Sequence, residues 1–222
     1  VNSHFKLSTL PRAEAVRGSV STLEDFLNRW GQDSKSSGAL GFYIFTEFLH
    51  TCGVKATLEA NGSATMTQSV WTDIKLAVDA LSYMPKKPAN FVMDYILKKR
   101  AESQLLAMNT KEDLCIVRLA SMCGVRDPIG ANAVTEAVQS LDEGDQALLL
   151  SQLTRDGVDV KPAFQLIGAA EFLDNAHANE HCDLTVSFQI LARVFELAQK
   201  EYASSRKSVI TVDQKPSQER FW

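Results

Sequence analysis

The chain has 222 residues, 45% of them hydrophobic and 23% charged, with a formal net charge of -4. These are the proportions of a soluble globular protein long enough to bury a core without metal or disulfide staples. They argue against a surface that is basic throughout, while leaving room for a local basic groove.

No apolar run reaches the length needed to cross a bilayer; the best candidate, 42–49, is interrupted by Thr46 and Glu47. No secretory leader is evident, and a start at Val1 reads as an N-terminus that has been processed. The cysteines Cys52, Cys115, Cys123 and Cys182 form no C-x-x-C pair, and the first three fall among apolar helical positions. A reducing intracellular compartment, cytoplasm or organelle interior, is therefore expected. Asn61-Gly62-Ser63 matches a glycosylation sequon but reads first as a turn.

Residues 1–18 lack periodicity, include Pro11, and are predicted to form an N-terminal arm. Ser21-Thr22-Leu23-Glu24 has the form of a capping box. It predicts a first helix with Leu23, Phe26, Leu27 and Trp30 inward and Gly31 as its stop. A second helix is predicted over 38–52, burying Leu40, Ile44, Phe45, Phe48 and Leu49, before a loop over 57–63. The third, over 67–83, turns Val70, Trp71, Ile74, Val78 and Leu81 to the core; Pro85 and Pro88 separate it from a fourth over 89–108.

Thr110 with Asp113 opens a fifth helix that ends near Gly124, and Asp127-Pro128 opens a sixth that ends near Leu141. Asp142 caps a seventh containing Leu148, Leu149, Leu150 and Leu153. Pro162 is read as the start of an eighth, through Phe164, Leu166, Ile167 and Phe172. The ninth, over 183–203, carries the stripe Leu184, Phe188, Leu191, Val194, Phe195 and Ala198, with Leu197 to one side. Residues 205–222 form a second arm, β-favouring over 208–212 and ending on Phe221-Trp222.

The expected fold is all-α: about nine helices in an irregular bundle or stacked helix pairs, with extended N- and C-terminal arms. The helical body spans 19–204, and if it has two lobes they divide near 108–110.

His177-Ala178-Asn179-Glu180-His181 matches the H-x-x-E-H pattern of inverted zinc peptidases. Turn and cap signals at Asp174-Asn175 and Asp183 flank it, and off a helix the two imidazoles no longer align. A polar connection between helices is the preferred reading, with His177 and His181 as weak metal candidates and no metal expected. Neither a phosphate-cradling glycine loop nor a G-x-S-x-G elbow is present, so no catalytic residue and no cofactor are assigned.

A basic cluster, Lys86, Lys87, Lys98, Lys99, Arg100 and Lys111, surrounds the fourth helix with Tyr83, Phe91 and Tyr95 among its members. Such a stripe holds phosphates and stacks bases; a solvated helix face is the plainer reading. Phe5, Leu7, Phe221 and Trp222 lack a local helix to bury them and are suited to anchoring on other subunits. The expectation is a non-enzymatic helical subunit of a larger assembly, its arms docking on identical or different neighbours. The alternative is a nucleic-acid-packaging protein, a viral nucleocapsid or filament coat, with Lys86, Lys87, Lys98, Lys99, Arg100, Lys111 and Tyr95 in its groove.

Overall fold

A computed structural model describes residues 7–29, 38, 40–46, 49, 67–84, 86–179, 181–202 and 204–213. Among them the fold is mostly helical, as expected, with one small parallel sheet added. A 3-10 turn (Leu7–Thr9) leads to α1 (Arg17–Arg29), followed by α2, helical over 40–46. Next come α3 (Gln68–Leu81), α4 (Ala89–Gln104), α5 (Lys111–Met122), α6 (Pro128–Gln139) and α7 (Glu143–Leu153). The chain continues with β1 (Ala163–Ile167), α8 (Ala169–Ala178), α9 (Leu184–Tyr202) and β2 (Val209–Asp213).

Local chemistry sets most helix starts. Thr67 accepts from the Val70 amide, Asp127 from Ile129 and Gly130, and Asp142 from Asp145. Thr110 and Asp113 form a full capping box. Each oxygen satisfies an amide that the first helical turn leaves without an acceptor. The box expected at Ser21 does not form. Helix α1 begins at Arg17, Ser21 donates to the Arg17 carbonyl, and Glu24 accepts instead from Ala89 at 3.0 Å. The start of α4 needs that help, because its N-cap is Pro88, which offers no side-chain oxygen. At its far end α4 stops earlier than expected, at Gln104, where Leu105 turns left-handed.

The predicted eighth helix is divided. Residues 163–167 are a strand, and only Ala169–Ala178 is helical. A short apolar run between turn signals fits a buried strand as well as a helix, so periodicity alone could not separate them. The strand pairs in parallel with β2, Ala163 opposite Val209 and Ile167 opposite Asp213. Helices α8 and α9 supply the long crossover that parallel strands require. The first part of the expected C-terminal arm is thereby built into the body, with Val209 and Ile210 buried. Around it the chain is tight: a Cβ on Gly157, whose φ is +77°, would lie 2.9 Å from the Val209 side chain and 3.0 Å from the Ser208 carbonyl.

Among the described residues two large apolar cores result. One joins α5 to α9 and both strands around Phe188, Phe195, Leu149 and Leu173. The other joins α3, α4 and the N-terminal segment around Leu10, Leu81, Val92 and Ile96. They adjoin a small cluster formed by Ala13, Leu97, Ala101 and Val117. Residues 7–16 are therefore no arm. Leu7, Leu10, Ala13, Ala15 and Val16 are all buried in this chain's own body, as a strap running beneath the helices. Helix α3 is rotated from expectation: Asp73, Ala77, Ala80 and Leu81 are buried, while Trp71 is 46% exposed. On α2, Leu40 is buried, but Phe45, expected inward, is exposed, as is Leu49 beyond it.

Candidate functional site

The strap is held by charged side chains. Asp73 on α3 is buried and accepts from Arg100 at 2.5 Å and from Arg126 at 2.9 Å, with Arg12 at 3.5 Å. Arg12 also meets Asp174 on α8 at 2.8 Å. Arg100 donates to the Pro11 carbonyl at 2.8 Å. Glu14 accepts from Gly168 and Ala170 at 3.0 and 2.9 Å, sealing the start of α8. A strap outside any sheet has no ladder partners of its own, and these side chains supply them. Burial pulls the Arg100 guanidinium down, with Asp73 working in the opposite direction.

Arg118 on α5 is as enclosed as Arg100, each only 5% exposed. It donates to Ala13 at 3.1 and 2.8 Å and to Ala15 at 3.3 Å, and it also reaches the Leu153 carbonyl. Among the described residues no carboxylate lies within ion-pair distance of it. Burial pushes it down to about 10, so it stays charged at neutral pH. It lies against a cleft of about 310 Å³ between the strap, α4, α5 and the end of α7.

The predicted basic cluster is only partly one surface. Arg100 points into the core and belongs to the Asp73 network, so it is removed from any groove. Lys111 lines the cleft. Lys87 lies over Phe91 at 5.7 Å and Lys99 over Tyr95 at 6.0 Å; Tyr83 packs on both rings at 5.2 and 5.3 Å. This ridge follows the i, i+4 row of α4. Lys99 is also bonded to Glu102 at 2.7 Å, which raises its pKa. Lys86 and Lys98 are exposed beside the ridge.

Of the predicted anchors, Leu7 is buried in this chain's own core, which corrects its assignment to a neighbour. Phe5, Phe221 and Trp222 lie outside the described residues. The two histidines of the zinc-like motif are not aligned on one turn. His177 is on α8, which ends at Ala178, and His181 is exposed in the following turn, its amide bonded to Asn179 at 3.0 Å. No metal-holding group of three side chains occurs among the described residues. Burial pushes the thiols of Cys115 and Cys123 up to about 12, so neither is a ready nucleophile.

A further surface falls on α9. Its inner face fills the larger core, yet Val186, Ile190 and Leu197 on its outer face are 49%, 48% and 52% exposed. They fall at helical spacing with Arg193 between them, forming one stripe.

Sequence patterning missed the strap and the arginines that hold it, Arg100 being singled out only as part of a basic surface cluster. One signal was available: Arg118 interrupts the otherwise apolar run Cys115-Ile116-Val117-Arg118-Leu119-Ala120, and a charge there needs buried acceptors. Asp73, in the middle of an amphipathic helix, was a weaker signal of the same kind. No helix among the described residues is long and apolar enough to cross a membrane. No curated protein and no solved structure matches the chain. A family model does match, over residues 1–220, and the chain belongs to that family, the family of unknown function DUF6829.

Proposed function

We propose that this protein is a non-enzymatic helical interaction subunit that pairs with a second copy of itself through α9. The observation that supports this reading is the second apolar face of that helix. A helix apolar on both sides is normally covered on both. The stripe is also self-complementary. In an antiparallel pairing that sets Val186 against Leu197 of the second copy, Ile190 meets the stem of Arg193 and Asp183 falls opposite Lys200. A two-fold axis makes each of these contacts twice. Lys200 bonds Glu196 within its own helix and is 64% exposed, leaving donors free for the second copy's Asp183. The stripe alone is smaller than the roughly 800 Å² per partner of a stable interface, which favours a weak, concentration-dependent dimer.

Sedimentation across a concentration series tests the reading. The expected result is a monomer–dimer equilibrium abolished by Ile190→Glu or Leu197→Glu with little change in melting temperature. Asp183→Lys should weaken it, and adding Lys200→Asp should restore it. A protein that stays monomeric at high concentration, or dimers indifferent to these changes, would refute it.

A further inference from the structure

We infer that the cleft between the strap, α4, α5 and the end of α7 binds a small organic anion: one phosphate or carboxylate head on a short apolar body. The floor carries the argument. Arg118 is buried, and its donors are met by the carbonyls of Ala13, Ala15 and Leu153. Carbonyl dipoles solvate a guanidinium but leave its charge uncancelled, and an anion entering the cleft would cancel it.

The rim adds to the same field. Lys111 is exposed and has no ion pair among the described residues. Among the described residues Arg155 is engaged only by the Pro162 carbonyl, at 3.2 Å. Arg17 lies between Asp94 and Asp156. The cleft thus gathers four cations and two carboxylates in a chain whose net charge is -4. The carboxylates disfavour a polyanion, so the head is a single oxyanion group. Met93, Leu97, Leu114 and Leu153 supply apolar wall, which a bare inorganic ion would leave unused. A volume of about 310 Å³, at the junction of two packed cores, is at the small end of ligand sites.

The test is calorimetric titration of the full chain with n-hexyl phosphate and with hexanoate, using n-hexanol and inorganic phosphate as comparators. Saturable binding of at least one hexyl anion is expected, with both comparators much weaker. Lys111→Gln should weaken it about tenfold, the effect of losing one charge-assisted contact. Lys98→Gln, outside the cleft, should leave it unchanged. Substituting Arg118 risks unfolding the strap, so Lys111 carries the test. The inference is overturned if neither anion binds below about 10 mM, a limit weaker than 3 kcal/mol of binding. It is equally overturned if hexanol or inorganic phosphate binds as well, or if Lys111→Gln makes no difference.

Discussion

The two halves of this molecule are held by different physics. Around Phe188 and Phe195 the larger core is apolar, built from the inward faces of helices and both strands. Beneath α4 and α5 the strap is held by Arg12, Arg100, Arg118 and Arg126, which bind Asp73, Asp174 and backbone carbonyls. The apolar core gains from area and packing, which are non-directional and tolerate volume-conserving change. The seam depends on donors and acceptors that all match, and a lost partner leaves a buried charge. The first is robust in kind; the second is specific in register.

Truncation in the apolar core should have the largest effect. Phe188→Ala removes a fully buried ring and is expected to cost about 3–5 kcal/mol in urea unfolding. Asp73→Asn, with a far smaller volume change, should cost about 3 kcal/mol, because Arg100 then loses its charged partner. The contrast sharpens when both partners are exchanged. Asp73→Leu combined with Arg100→Met should cost less than the sum of the two single changes, a coupling visible in a double-mutant cycle, although Arg126 and the Pro11 carbonyl each still lose a partner. Strict additivity of the two changes would mean that the seam is not a cooperative unit. Thr110→Ala lies outside both regions and should cost about 1 kcal/mol through its capping box alone.

How much of this was readable in advance follows the same division. Helices α5, α6 and α7 start where their capping residues predict, because a cap is a local hydrogen bond between residues two or three apart. The core stripe of α9 is likewise local, and Phe188, Leu191 and Phe195 are buried as the period implies. The strap is not local. Arg118 meets Ala13 across 105 residues, and Arg100 meets Pro11 across 89. Glu24 looked like the end of a box on α1 and instead caps α4, 65 residues away. The β1–β2 pairing joins two runs each too short to distinguish strand from helix or tail. At the candidate sites the same limit applied. Lys111 was singled out for its charge, but only the fold places it against the cleft that Arg118 floors. The stripe of Val186 and Ile190 was hidden because α9 already had one apolar face to explain it.

Acid titration separates the apolar core from a charged turn beside the strap, with the smallest expected effect. Asp156 closes the turn after α7: burial pushes its carboxyl up, but the amides of Val160, Val158 and Asp159, together with Arg17, outweigh this and hold it below its ordinary 3.8. Above 3.8 the group is ionised in both folded and unfolded chains, and its contribution is complete. As pH falls further the unfolded chain takes the proton first, so the contribution shrinks and vanishes once the folded group is protonated too. Asp156→Asn should therefore be less stable than wild type near neutrality, with the difference closing as the urea midpoint is followed into acid. Phe188→Ala should show a constant difference over the same range, because no titrating group is lost with the ring. A constant difference for Asp156→Asn as well would mean that the turn uses the shape of that side chain rather than its charge.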